Sequence, residues 1–226
     1  MAFIQRAAVA TALGFGLGLG AAHATGTPIT LKTDGYTSTS THAATSVKYG
    51  WDTVSVDAGS FQVTTSAGKS FLAFCAEISQ FTSSNWQTYY VGTFGSTDQA
   101  LLQGLFSSVA TFSGTAKVDS GLEYAALQLA VWEIMHETAS TASLTKGSGT
   151  LYVNDTSTSG LSLASLANSY LSAAYNWEGP SLVKVEKLSN GSYQDLVRVT
   201  PVPEAGTFGL MALGLAGLAL VRRRAA

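Results

Sequence analysis

The sequence contains very little cysteine, since Cys75 is the single one among 226 residues. A disulfide within the chain is therefore excluded, and Cys75 is either a buried structural thiol or a group with a chemical use. Motifs of common enzymes are absent too: there is no Gly-rich phosphate loop, no G-x-S-x-G, and no His, Cys or acidic cluster with metal-ligand spacing. We therefore expect no cofactor, no metal site and no catalytic turnover.

Residues 1–24 have the layout of a secretory signal peptide. Arg6 precedes an apolar run, Ala7–Ala21, and Ala22-His23-Ala24 is an A-x-A cleavage site. We expect the mature chain to begin at Thr25 and to be exported.

Residues 202–226 form a second terminal signal. Pro203 and Glu204 precede the 14-residue apolar run 208–221, and Arg222, Arg223 and Arg224 follow it. At ~1.5 Å per residue the run is ~21 Å long, against a hydrocarbon core of ~30 Å. It therefore predicts a transmembrane helix only if flanking residues enter the bilayer and the arginines snorkel. The arginines should hold this end in the cytoplasm.

This C-terminal layout resembles the PEP-CTERM sorting signal of Gram-negative surface proteins. That signal has a Pro-Glu-Pro motif, a short transmembrane helix and a basic end, whereas the motif here reads Pro203-Glu204-Ala205. The resemblance implies transient anchoring in the inner membrane and processing by an exosortase-type protease. The protein would then reach the cell surface or an extracellular matrix such as a biofilm. A plain C-terminal membrane anchor is the alternative.

The charge balance limits the partners of the region between these signals. The whole chain has a net charge of −2, and without Arg6, Glu204 and the three terminal arginines it is about −5. A negative balance disfavours nucleic acid and anionic membrane surfaces as partners.

Residues 25–201 read as one domain in which strands, helices and strands follow in order. Alternating segments predict strands at 29–32, 46–50, 53–57, 61–65 and 70–79, with 58–60 as a hairpin loop. Helical periodicity follows at 97–109, 124–137 and 161–176. Strands return at 181–188 and 193–200, around the hairpin signal Asn190-Gly191. The order predicts the α+β class: a β-sandwich with a helical insertion, about 97–176, packed on one sheet.

The segment 124–137 predicts a helix with one buried face, begun by a capping box at 120–123. Gln128 lies in the middle of its apolar stripe. A buried amide without a partner costs roughly 1–3 kcal/mol. Gln128 therefore needs either backbone hydrogen bonds or a chemical use.

Strand alternation in 70–79 places the even-numbered residues from 72 to 78 on one apolar face and Cys75 with Glu77 on the other. We expect Cys75 to face away from the main core, onto a surface that the Gln128 helix covers. Glu77 could orient the thiol or relay a proton, and a sheet-edge carboxylate is the alternative.

The segments FCAE at 74–77 and LQLAVW at 127–132 resemble the two signatures of bacterial surface thioester domains of the TQxA type. Leu127 stands where that family commonly has Thr. The resemblance implies a β-sandwich with a helical insertion. It also implies a bond between the Cys75 sulfur and the Gln128 side-chain carbonyl, formed with release of ammonia. Trp132, one helical turn after Gln128, would shield the bond, and ordinary core packing is its alternative.

These features favour an exported adhesion or matrix protein. Its thioester would couple once to an amine or hydroxyl on a surface, a matrix polymer or another protein. A Cys–His peptidase using His42 or His136 is disfavoured, because peptidase cysteines commonly open a helix whereas Cys75 lies in a predicted strand. The other alternative is a noncovalent structural or carbohydrate-binding matrix β-sandwich with Cys75 and Gln128 as inert core residues.

Overall fold

The structure is a computed structural model that describes residues 26–36, 41–109, 118–137 and 142–202. The predicted signal peptide, the predicted C-terminal helix and the sorting-signal residues 203–226 lie outside these ranges. Within these ranges no helix is long and apolar enough to cross a membrane.

Nine strands and three helices make up the described part of the chain. The strands are β1 (Thr27–Gly35), β2 (His42–Tyr49), β3 (Asp52–Gly59), β4 (Phe61–Thr65), β5 (Ser70–Cys75), β6 (Gln87–Gly92), β7 (Leu151–Val153), β8 (Val183–Ser189) and β9 (Leu196–Pro201). The helices are α1 (Ser96–Val109), α2 (Gly121–His136) and α3 (Thr158–Tyr175). The predicted α+β class is confirmed, and the three helices lie between the early and late strands.

Six strands close into an antiparallel barrel in the order β1-β4-β5-β9-β8-β6, and β3-β2-β7 form a separate sheet. The expected pair of packed sheets is therefore replaced by a barrel with a smaller sheet beside it. Closure depends on β1, whose first half pairs with β6 and whose second half pairs with β4, both through Leu31. Such closure leaves these strands without a free edge.

The predicted hairpin loop at 58–60 is wrong, because β3 and β4 belong to different sheets. β3 pairs with β2, while β4 pairs with β1 and β5. The chain crosses between the sheets at Gly59, where an added Cβ would lie 2.2 Å from the carbonyl oxygen of Thr41. Ser60 then donates its backbone N–H to the same carbonyl. A glycine is therefore required for close backbone approach at this crossing rather than for a turn.

The molecule has two hydrophobic cores, separated by the wall of the barrel. The smaller core fills the barrel and contains Leu31, Phe61, Val63, Ala73, Tyr89, Leu188 and Leu196. The larger core lies outside the barrel, where the three helices pack on its outer face and on the small sheet. On β5, Ala73 belongs to the inner core and Phe74 to the outer one, which follows from the two-residue period of a strand.

Helix α2 is buried on all sides rather than on one face. It begins with the predicted capping box: the Ser120 hydroxyl accepts from the Glu123 N–H, and the Glu123 carboxylate accepts from the Ser120 N–H. Every residue from Ala125 to Ile134 is buried. The one-sided prediction was wrong because strands β2, β3 and β5 and helices α1 and α3 all pack against α2.

Strand β5 ends at Cys75, earlier than the predicted Ser79. The Ala76 N–H donates to the Asp195 carbonyl, and the carbonyl of Glu77 accepts from side chains instead of a neighbouring strand. The face assignment also changes: Phe74 and Ala76 lie in the helix-covered core, whereas Leu72 on the same face is 38% exposed. Barrel closure explains the difference, because the opposite face of β5 lines the barrel interior.

Candidate functional site

Gln128 lies at the centre of α2 with 1% of its surface exposed, and its side chain is paired with the backbone of Cys75. The Cys75 N–H donates to Gln128 Oε1 at 2.8 Å. In return Gln128 Nε2 donates to the Cys75 carbonyl, also at 2.8 Å. The amide therefore extends the ladder of β5 at the residue where the strand ends, and the structure brings the two residues together.

Cys75 occupies the boundary between the two cores. It is a free, partly buried cysteine that pairs with Leu196 of β9 and packs against both the barrel core and the helical core. Burial raises the pKa of its thiol, so the resting group is a neutral thiol. The expectation that Cys75 faces only the helix was therefore too simple, because its neighbours come from both cores.

Besides burial, negative charge on Cys75 is one of the causes that raise the pKa values of two tyrosines, Tyr36 and Tyr89. Burial, followed by negative charge on Cys75 and on Asp57, raises the pKa of Tyr36 to about 12. The Tyr36 hydroxyl donates to the Asp57 carbonyl, and its ring stacks on His42 with centroids 4.0 Å apart. Tyr36 therefore already has a hydrogen-bond partner.

Tyr89 is the second tyrosine, and its hydroxyl differs from that of Tyr36. The residue is 1% exposed inside the barrel, and its oxygen is buried with no hydrogen-bond partner among the described residues. Burial raises its pKa to about 12, with further contributions from negative charge on Asp195, Cys75 and Tyr193. Sequence reasoning missed this residue because strand β6 itself was not predicted.

Trp132 and Glu77, the two predicted supporting residues, meet each other rather than the thiol. Trp132 is 4% exposed, and its Nε1 donates to the Glu77 carbonyl at 3.1 Å. Gln194 Nε2 donates to the same carbonyl, and the Glu77 carboxylate accepts from the Asp195 N–H at 3.3 Å. Both residues thus fix the segment after Cys75 between α2 and the β8–β9 connection.

The histidines of the peptidase alternative have other neighbours. His136 lies near the end of α2, where its Nδ1 is 3.3 Å from the Tyr49 hydroxyl on β2, and burial lowers its pKa. The lowered pKa favours the neutral form of its imidazole. His42 stacks on Tyr36. Within the described residues, no group of three or more His, Cys, Asp or Glu side chains is placed to hold a metal ion.

Comparison with known proteins identifies one motif. Residues 201–224 match the family model of the PEP-CTERM protein-sorting motif, a range that contains Pro203, Glu204 and the three arginines 222–224. No curated protein is significantly similar to the chain. Among solved structures, the N-terminal domain of the Streptococcus pyogenes pilus tip adhesin Cpa is similar at 13% identity and a TM-score of 0.44. That match covers 65% of this chain and 85% of the adhesin domain.

The sorting motif implies how the chain is anchored and processed. A PEP-CTERM signal anchors its protein in the membrane before an exosortase processes it. The protein is therefore an exported exosortase substrate that is transiently anchored in a membrane by its C-terminal signal.

Proposed function

We propose that this protein is a surface or matrix protein in which Cys75 and Gln128 form an internal thioester for a single covalent attachment. The observation that carries the proposal is the pairing of the Gln128 amide with the backbone of Cys75. The pairing holds the acyl group to be activated against the residue that bears the nucleophile. Export, which the sorting motif implies, supplies the location in which attachment is useful.

Thioester formation is a balanced exchange at the Gln128 side chain. Cys75 Sγ attacks Gln128 Cδ, the C–N bond breaks, and the nitrogen leaves as ammonia with the thiol proton. Negative charge develops on Oε1 during this step, and that oxygen already accepts from the Cys75 N–H at 2.8 Å. A fixed backbone donor at this position stabilises an oxyanion. The arrangement therefore supports acyl transfer at this amide.

Attachment reverses the activation. An amine attacks Gln128 Cδ, a C–N bond forms, the C–S bond breaks, and the proton released by the amine goes to the sulfur. The target stays bound to Gln128, and Cys75 returns as a free thiol. A hydroxyl on a surface polymer would give an ester by the same steps. Because the product is stable, each molecule reacts once, and we propose adhesion or matrix cross-linking instead of catalysis.

Burial protects such a bond from water. Gln128 and Trp132 are almost fully buried, and the residues of α2 around them are covered on all sides. A thioester is hydrolysed when water reaches it, so a dry site prolongs its lifetime. Trp132 contributes by fixing the segment that follows Cys75.

A noncovalent role for the two residues is the competing proposal, and the same hydrogen bonds favour it. Both polar groups of the Gln128 amide are satisfied, which is what a purely structural glutamine requires. The protein would then be a noncovalent structural or carbohydrate-binding matrix component.

Methylamine distinguishes the two proposals. If the thioester exists, treatment of the purified exported protein adds methylamine at Gln128 and exposes one thiol at Cys75. Peptide mapping locates the adduct, and a thiol reagent applied after unfolding counts the thiol before and after treatment. An unmodified Gln128 with a titratable Cys75 in untreated protein would favour the noncovalent role.

A further inference from the structure

Tyr89 has a feature that the fold alone does not explain. Its side chain is 1% exposed in the barrel core, yet its hydroxyl has no hydrogen-bond partner among the described residues. An unpaired buried hydroxyl is destabilising. A phenylalanine would fill the same volume without this cost, so the hydroxyl calls for a use.

The barrel topology places Tyr89 across from the proposed thioester. In the closed order β1-β4-β5-β9-β8-β6, strand β6 is three positions from β5 in either direction, so the two strands are opposite each other. Tyr89 belongs to the barrel core, and Cys75 packs against that core from β5. Among the residues of this core, the hydroxyl groups belong to the buried Tyr89 and to the partly buried Tyr193.

We propose that the Tyr89 hydroxyl donates a hydrogen bond to Cys75 Sγ when the sulfur carries negative charge during the opening and the formation of the thioester. This inference rests on the thioester proposed above and adds a donor to its leaving group. When an amine attacks Gln128, the C–S bond breaks and its electron pair goes to sulfur. A donor to that sulfur lowers the barrier, because hydrogen bonds to charged acceptors are stronger than neutral ones.

The electrostatics of the barrel core are consistent with this role. A charge on Cys75 is one of the causes that raise the pKa of Tyr89, together with burial, Asp195 and Tyr193. The phenol therefore keeps its proton at neutral pH and serves as a donor. Burial disfavours a thiolate at Cys75. A hydrogen-bond donor to the sulfur therefore has a large effect on the free energy of the charged form. Tyr36 also senses the charge on Cys75, but its hydroxyl is used by Asp57.

The test compares Tyr89→Phe with Tyr90→Phe in the full exported protein. Tyr90 is the next residue of β6, is 38% exposed and belongs to the other face of the strand, so its variant controls for loss of a tyrosine. Methylamine opening is followed by intact mass over time. We expect Tyr89→Phe to slow opening about tenfold or more, the size of effect typical of losing one transition-state hydrogen bond. Tyr90→Phe should react at the wild-type rate.

A second readout separates a donor from a packing residue. After methylamine has opened the bond, the rate of Cys75 alkylation against pH reports the pKa of the thiol. We expect this profile to shift to higher pH in Tyr89→Phe and to stay unchanged in Tyr90→Phe. A merely structural Tyr89 would leave the midpoint of the profile in place.

The outcomes keep this inference apart from the thioester proposal. Wild-type protein without any methylamine adduct contradicts the thioester itself. Wild-type protein that reacts, with Tyr89→Phe equal to it in rate and profile, contradicts the role of Tyr89 alone. Because Tyr89→Phe removes a buried hydroxyl that has no partner among the described residues, we also expect the thermal midpoint of this variant to be unchanged or raised. Misfolding or a clearly lowered midpoint would show that the hydroxyl has a structural partner, which would overturn the inference.

Discussion

The side-chain amide of Gln128 hydrogen bonds to both backbone groups of Cys75, at 2.8 Å in each direction. One glutamine thereby joins the central helix to the end of a barrel strand far away in sequence. The pairing has a stability consequence for the chain in which the Gln128 amide is intact.

Gln128→Ala should destabilise the fold more than Cys75→Ala does. The first variant leaves a buried N–H and a buried carbonyl unpaired and opens a cavity, at a cost of about 2–5 kcal/mol. The second keeps both hydrogen bonds, because they use the backbone of residue 75, and should cost about 1–2 kcal/mol. Denaturant unfolding measures both values. Equal losses in the two variants would contradict the structural importance of this pairing.

Trp132→Phe should lower the free energy of unfolding by about 1–3 kcal/mol, because it removes the hydrogen bond to the Glu77 carbonyl and some buried surface. Trp177→Phe is the matched control, since the Trp177 Nε1 is buried without a partner among the described residues. Thermal or denaturant unfolding gives the comparison. A larger loss at Trp177 would argue against the Trp132–Glu77 contact.

Glu133 should make the protein less stable as the pH rises from about 4.5 to about 7. Its side chain is buried, Oε1 accepts from the Ser143 N–H, and Oε2 has no partner among the described residues. Burial raises the pKa of this carboxyl to about 7, so the folded state binds the proton more tightly than the unfolded state. The stabilisation by the proton is therefore full below about 4.5 and lost above about 7.

Glu133→Gln removes this titration. We expect it to raise the free energy of unfolding at pH 8 by on the order of 1–2 kcal/mol and to change it little near pH 4.

Glu137 should have a pH dependence of opposite sign. Burial acts to raise the pKa of Glu137, but hydrogen bonds from Thr150 and Leu151 to its carboxylate outweigh burial and hold the pKa below the usual range. The contribution of Glu137 to the free energy of unfolding should therefore be lost as the pH falls. Thermal melts across pH distinguish this loss in acid from the loss at higher pH expected for Glu133.

Processing gives a separate prediction for the two ends of the chain. Mature protein from the native host should begin at Thr25 and lack residues 208–226. The sorting motif at 201–224 places the processed segment at that end. Terminal peptide sequencing measures both ends. An intact arginine tail, 222–224, on exported protein would reduce this signal to a plain membrane anchor.

The local parts of the fold could be predicted from sequence because their causes are local. The capping box at Ser120 and Glu123 fixes the start of α2, and helical periodicity located all three helices. Closure of the barrel could not be predicted in this way. It depends on β1 pairing with β6 and β4 at once, and no short-range pattern encodes such a pairing.

The candidate site shows the same division between local and long-range causes. Gln128 and Cys75 attracted attention because a buried amide and an unpaired cysteine are unusual in their local patterns. Tyr89 and Tyr36 carry no such signal, since tyrosine is common in strands and the short segment around Tyr89 was not predicted as one. Their relation to Cys75 depends on pairing between distant strands, because Tyr89 lies on β6, opposite β5 in the barrel, and Tyr36 directly follows β1. The hydrogen bond from the Asp195 N–H to the Glu77 carboxylate likewise could not be predicted, because it depends on β5 ending at Cys75 instead of at Ser79.

The central claim is tested most directly by the intact mass of the mature exported protein. We predict a deficit of one ammonia relative to its sequence, absent in Cys75→Ala and in Gln128→Ala. Gln99→Ala is the control, because the Gln99 amide also bridges two backbone groups, the Phe94 N–H and the Val185 carbonyl, neither of which belongs to a cysteine. That variant should keep the deficit. Wild-type protein at its full calculated mass, with glutamine still present at position 128 by peptide mapping, would contradict the account.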